Sequence, residues 1–272
     1  MEKTKTRALT ESAILVALSV ILSFIKLADL PYGGSVTLAS MLPIVIISYR
    51  HGVSWGLGSG LVYAAVEQLT GLSTLSWVTT WQSVLAVVLL DYIIAFAVSG
   101  LGGAFRNIIK NQAAALTAGS VLVCVLRYIC HVITGATVWA GISIPTADAL
   151  AYSLIYNATY MLPEMLIMAI IAFYLGSAID FRSDEPVRMK RAESAKSKGG
   201  VGTLVSGLFI AAALIYDVAA VFSVIQGESG FDITQISEVD WISVVAVTAA
   251  AVIGAIIVSV AAKRTPDNKK NA

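Results

Sequence analysis

Apolar residues run in long blocks along most of the chain, separated by short stretches of polar and small residues. A helix of about 20 such residues crosses roughly 30 Å of hydrocarbon, so each long block reads as a transmembrane helix. The pattern predicts eight helices, at about 8–28, 36–50, 52–71, 77–101, 113–138, 150–179, 201–225 and 241–262. The second is short and carries Pro43. The turn Arg50-His51-Gly52 separates it from a third whose Gly56, Gly58 and Gly60 permit close helix contact. The polar start, Met1 to Thr10, leads into a block without a small-residue cleavage pattern, which reads as a retained helix rather than a signal peptide.

Basic residues test this count, because Lys and Arg collect in cytoplasmic loops. Lys3, Lys5 and Arg7 precede the first helix, Arg50 follows the second, and Arg106 and Lys110 follow the fourth. Arg182, Arg188, Lys190, Arg191, Lys196 and Lys198 follow the sixth, and Lys263, Arg264, Lys269 and Lys270 close the chain. Sixteen of the 18 basic residues therefore fall on one side, leaving Lys26 in the first outer loop and Arg127 inside the fifth helix. The opposite loops are acidic, with Asp29, Asp148, Glu228, Asp232, Glu238 and Asp240. The fold class is thus all-α, a polytopic transmembrane bundle with both termini in the cytoplasm of a plasma membrane protein. Residues 1–180 form a six-helix membrane domain, 181–200 a basic linker, and 201–272 a two-helix extension whose interior charge is Asp217.

Composition agrees: 57% of residues are hydrophobic and 13% charged, against about 25% charged in a soluble domain. A net charge of +1 gives no reason to expect nucleic acid. Cys124 and Cys130 share one apolar block, where burial suits them better than a disulfide or metal site, and no HExxH pairing occurs. No metal or cofactor is expected.

Ionisable residues inside such helices face a cavity or a partner, because lipid does not solvate them. Glu67, Asp91, Arg127, His131 and Glu164 are the candidates. Arg127, His131, Gly135 and Trp139 are spaced by four and share a helix face, on which Gly135 leaves a gap for a flat ring. Tyr152, Tyr156, Tyr160 and Glu164 make a second such stripe, with Asn157 beside it, and Asp91-Tyr92 adds a carboxylate and a phenol. If these three helices face one another, they frame a pocket suited to a flat organic cation, attracted to the ring faces by roughly 0.5–2 kcal/mol per contact. Simpler roles stay open. Trp55, Trp77, Trp81 and Trp241 suit interfacial anchors, Arg127 suits a pair with Glu164 or Asp91 that braces the bundle, and Glu67 suits a solvated cap as well as a ligand group. Ala13 and Ala17 form a small-residue strip that lets another helix approach.

The segments LTESAILVALS, PYGGSVTLASMLPI, SYRHG, LLDYIIAF, LRYICHVITGATVWAG and YSLIYNATYMLPE occur in this order between Leu9 and Leu175. In them the chain resembles the thiamine-specific substrate-binding (S) components of energy-coupling-factor (ECF) transporters, the ThiT/YuaJ-like family. The resemblance implies a six-helix S-component that captures thiamine from outside, with release powered by a transmembrane coupling protein and two cytoplasmic ATPases. No GxxxxGK[ST] pattern occurs here, so ATP hydrolysis falls to those partners. The resemblance implies Asp91, Tyr92, His131, Gly135, Trp139, Tyr152 and Asn157 as the ligand set. Trp139 then stacks on the ligand, Asp91 complements its cationic or aminopyrimidine part, and Asn157 bonds ring nitrogens. It also implies Ala13 and Ala17 as the docking strip for the coupling protein. Some members carry tryptophan where this chain has Gly34 and glutamate where it has Asp91, which removes one aromatic wall and shortens the carboxylate's reach. A solitary proton-coupled carrier using Asp91 or Glu164 is the alternative, and an intramembrane protease using Glu67, His131 and Asn157 is disfavoured by the lack of catalytic patterns.

Overall fold

The computed structural model describes residues 2–30, 33–140, 142, 149–189, 201–227, 230–231 and 233–264. Asp148, Glu228, Asp232, most of the linker (190–200) and Lys269 and Lys270 lie outside the described residues. Among those described, the chain forms eight helices: α1 (Glu2–Ser23), α2 (Leu42–His51), α3 (Val53–Thr70), α4 (Trp81–Gly103), α5 (Gln112–Thr137), α6 (Ala149–Ala178), α7 (Val201–Ile225) and α8 (Trp241–Arg264). Six of them, all but α2 and α3, are long and apolar enough to cross a membrane. The chain is a polytopic helical membrane protein.

The boundaries between the first two helices differ most from the sequence reading, and α1 also starts earlier, at Glu2. The first helix ends at Ser23 and the second starts at Leu42, because Lys26–Asp29 (β1) and Ser35–Thr37 (β2) pair as an antiparallel hairpin between them. Short hairpin strands carry no apolar period long enough to separate them from flanking helices. At ten residues and 1.5 Å per residue, α2 is far too short to span lipid. Its residues Leu42 to Tyr49 are all buried, so the bundle, not lipid, surrounds it. Pro43 sits in its first turn, where a missing N–H breaks no helical bond. Gly52, at φ 94°, turns the chain directly from α2 into α3.

Helices α3 and α4 pack closely where the glycines predict. A Cβ at Gly56 would stand 2.6 Å from the carbonyl oxygen of Gly100, and one at Gly60 would stand 2.8 Å from that of Ala97. Gly58 instead faces open space. Ser48 bridges α2 to α4, donating to the Gly100 carbonyl (2.5 Å) and accepting from the Gly103 N–H (2.9 Å). Asn111 caps α5 by accepting from the Ala114 N–H, and the buried Gln112 donates to the carbonyls of Gly176 and Ile179, tying the start of α5 to the end of α6.

Among the described residues, Arg7, Arg50, Arg106 and Arg182 gather at one end. Glu11 of α1 accepts from Arg7 and from both Nε and Nη2 of Arg50. Its Oε2 also lies 2.7 Å from His51. Arg106 donates to the Arg50 carbonyl, and Arg182 donates to the Tyr49 hydroxyl. Cys124 and Cys130 are free and buried. Beyond the linker, α7 packs on α6, with the Ile170 side chain against Gly207, while Thr248 of α8 donates to Asp217 of α7. Phe222 of α7 reaches the Tyr156 ring at 5.6 Å.

Candidate ligand site

At the end of the bundle opposite Glu11 and Arg50, five helices and the hairpin enclose a cavity of about 450 Å³. Within α4, residues Val87–Ile94 form a π-helical stretch of wider turns, and Asp91 and Tyr92 lie in it. Such widened turns accompany functional sites because they re-aim side chains that a regular helix would place elsewhere. Here both Asp91 and Tyr92 line the cavity, together with His131 and Gly135 from α5, Trp139 from the turn that follows α5, and Asn157 from α6. Six of the seven residues of the implied ligand set thus meet in one recess. The seventh, Tyr152, sits a layer back, buried and stacked on Tyr156 at 6.1 Å. Helical drift explains this: Tyr152 lies a full turn before Tyr156, beyond the cavity wall.

The polar groups form one continuous chain. Arg127 Nε donates to His131 Nε2 (3.1 Å). Guanidinium nitrogen can only donate, so His131 accepts there and carries its proton on Nδ1, which donates to Asp91 Oδ1 (2.9 Å). Thr134 also donates to Asp91 Oδ1, and Trp139 Nε1 donates to Asp91 Oδ2 (2.9 Å). Both oxygens of Asp91 are therefore held by the protein, and the Trp139 ring is fixed through its N–H.

Arg127 makes no direct hydrogen bond to Glu164 or Asp91 among the described residues. Its guanidinium lies over the Phe96 ring, 4.4 Å from the centroid, and it donates to His131 and to Met41 Sδ. Glu164 is fully buried behind the cavity and accepts from the backbone N–H (2.5 Å) and hydroxyl (2.7 Å) of Thr37. It locks β2 onto α6 rather than facing a ligand. Glu67, open between cap and ligand in the sequence, lines the cavity.

Gly34 also lines it, and α6 supplies an aromatic wall where this glycine brings no side chain. A Cβ at Gly34 would stand 2.7 Å from Tyr160 Cδ1 and 2.9 Å from the Tyr156 hydroxyl, to which the Gly34 N–H donates at 3.1 Å. Tyr156 and Tyr160 meet edge to face at 5.8 Å, and Tyr160 donates to Asn157 Oδ1 (2.5 Å). Asn157 in turn donates to the Ser153 carbonyl (2.8 Å).

Sequence reasoning missed Thr134, Phe96, Tyr63 and the Gly71–Thr74 turn, where the Tyr92 hydroxyl donates to the Gly71 carbonyl and to Thr74. Thr134 stands one turn past His131 on the same face, and that spacing was its available signal. Phe96 gives no such signal, since one phenylalanine in an apolar helix looks like any other.

Away from the cavity, Ala13 and Ala17 are exposed and line an apolar groove of about 860 Å³ between α1 and α3, with Trp55 and Gly58 among its other walls. Trp77, Trp81 and Trp241 are exposed large aromatics on the bundle surface.

Comparison with known proteins adds three findings. The thiamine transporter ThiT of Bacillus subtilis (strain 168) is 38% identical over 174 residues, covering 60% of this chain and 86% of that protein. A solved structure of ThiT from Listeria monocytogenes aligns with a TM-score of 0.53 at 23% identity, covering 64% of this chain and 94% of that one, and shares the fold. Residues 9–181, which carry α1 to α6 and the whole cavity, match the family described as thiamine transporter protein (Thia_YuaJ), and the chain belongs to that family.

Proposed function

We propose that this chain is the substrate-binding component of an ECF-type importer and that it captures thiamine in the cavity between α1 and α6. As a member of a transporter family it is a transport protein, not an enzyme. The observation that carries the ligand reading is the meeting of Asp91, His131, Trp139 and Asn157 in one recess of about 450 Å³. That size lies in the range of small-molecule sites, roughly 300–1,000 Å³. Trp139, tethered by Asp91, presents a ring for stacking across the gap at Gly135, and Tyr156 and Tyr160 add further rings to the cavity wall. Asn157 Oδ1, which accepts from Tyr160, keeps a second lone pair for the ligand's amino group, and Tyr152 backs Tyr156. Arg127 and Glu164 serve the scaffold, one by fixing His131 and the other by pinning the hairpin.

The partners in this reading are an ECF transmembrane coupling protein and two cytoplasmic ATPases. The groove at Ala13 and Ala17 supports docking, because small side chains let a partner helix come close. The cluster of Arg50, Arg106 and Arg182 at the end opposite the cavity supports cytoplasmic termini and an outward-facing site. Residues 1–180 act as the binding domain, with the linker 181–200 and the extension 201–272 as an addition packed on α6.

Uptake into vesicles tests the reading. With a coupling protein and ATPases present, thiamine accumulates only when ATP is supplied. ATP-independent accumulation driven by a proton gradient, in vesicles without those partners, refutes it in favour of a solitary carrier.

A further inference from the structure

The two-helix extension touches the ligand site although it lies outside the family match, which covers residues 9–181. Helix α7 is not a separate layer: Ala211, Phe222 and Ile225 are buried in the same hydrophobic core as Tyr152, Tyr156 and Tyr160. Toward the start of α7, Gly207 lets the Ile170 side chain of α6 come close. In its last turn Phe222 is buried, and its ring meets that of Tyr156 at 5.6 Å, tilted by 52°, a geometry in which two rings attract each other.

Tyr156 is the point at which this packing reaches the cavity. It lines the recess, its hydroxyl accepts from the Gly34 N–H, and its ring packs on Tyr152 at 6.1 Å and on Tyr160 at 5.8 Å. Tyr152 and Tyr160 belong to the same helix as Tyr156, whereas Phe222 comes from another and gives the ring a second, independent support. A side chain supported on fewer sides keeps rotamer freedom that ligand binding must then remove, and ordering it costs affinity.

We propose that α7 is part of the binding machinery and that Phe222 is a positioning residue, holding the Tyr156 ring in place for the bound ligand. The proposal rests on thiamine as the ligand and extends that reading to a helix beyond the family match. Phe222 does not itself line the cavity; it acts through Tyr156. Removing its ring leaves space behind Tyr156 and lets that ring turn away from the site.

The test is a double-mutant cycle on purified full-length protein, read by calorimetric titration with thiamine. Phe222→Ala raises the Kd about tenfold, and Phe222→Leu, which keeps much of the volume but loses the flat face, raises it about threefold. In Tyr156→Leu protein, whose own affinity is lower, the same two changes at Phe222 alter the Kd by less than about 1.5-fold, because the ring they act through is gone. A merely structural role would weaken binding by the same factor in both backgrounds, so equal factors overturn the proposal. A Kd within about 1.5-fold of wild type in both Phe222 variants overturns it as well. The leucine variant keeps α7 packed and decides the matter if the alanine variant does not fold. Wild-type protein that does not bind thiamine refutes the ligand reading itself.

Discussion

Replacing Asp91 with Asn keeps the shape of the side chain and removes its charge, and the surrounding hydrogen bonds determine the cost. Asparagine oxygen can still accept from His131 Nδ1 and Thr134, but the amide nitrogen then faces Trp139 Nε1, donor against donor. Turning the amide over restores the Trp139 bond and loses the other two. In either orientation at least one charge-assisted bond disappears, worth about 1.5–3 kcal/mol. The Trp139 ring loses its tether, so stacking must first order the ring. Thiamine affinity should fall by roughly 10–100-fold, equivalent to about 1.4–2.8 kcal/mol. Trp139→Phe keeps a ring, leaves Asp91 bonded to His131 and Thr134, and should cost less, about three- to tenfold. Titration of purified protein by calorimetry measures all of these. An Asp91→Asn affinity within about twofold of wild type would refute the tether, since the lost bond could then have had no part in the site.

Other parts of the molecule give further expected outcomes. Ala17→Trp fills the groove between α1 and α3 and should abolish ATP-driven uptake while leaving the thiamine Kd within about twofold; loss of binding itself would contradict the separation of groove and cavity. Glu11→Gln leaves Arg50, with 4% of its side chain exposed, beside Arg7 and His51 without a carboxylate, and should cost roughly 1–3 kcal/mol of stability. A fall in thermal midpoint in detergent checks this, and an unchanged midpoint counts against the cluster. Gly34→Leu drives a side chain into Tyr156 and Tyr160 and should weaken binding by about tenfold or more, with partial recovery in Gly34→Leu/Tyr160→Ala. No recovery would mean the Tyr160 contact is not the cause.

Much of this site was legible because transmembrane helices leave few polar residues to choose among. Arg127, His131, Gly135 and Trp139 are spaced by four, and all four line the cavity, the first three on α5 and Trp139 in the turn just past its end. Other features arise from contacts between distant segments, which a one-dimensional pattern does not carry. Glu164 reads as a member of the tyrosine stripe, yet the hairpin claims it through Thr37, 127 residues away. The hairpin itself hides in sequence because strands of four and three residues lie between two apolar blocks. The π-helical stretch around Asp91 is equally silent, since the apolar residues flanking Asp91 and Tyr92 in LLDYIIAF fit wide and regular turns alike. Gly34 reads as a missing wall because its replacement, the Tyr156–Tyr160 pair, comes from a segment more than a hundred residues on.

The central claim is that thiamine occupies the recess bounded by Asp91, His131, Trp139 and Asn157. A thiamine titration of wild-type and Trp139→Ala protein, monitored by intrinsic tryptophan fluorescence and calorimetry, tests it most directly. The account predicts saturable binding to the wild type at submicromolar thiamine, and a loss of about 100-fold or more in a variant that remains folded. Equal affinity in the two proteins, or no saturable binding to the wild type, would contradict it.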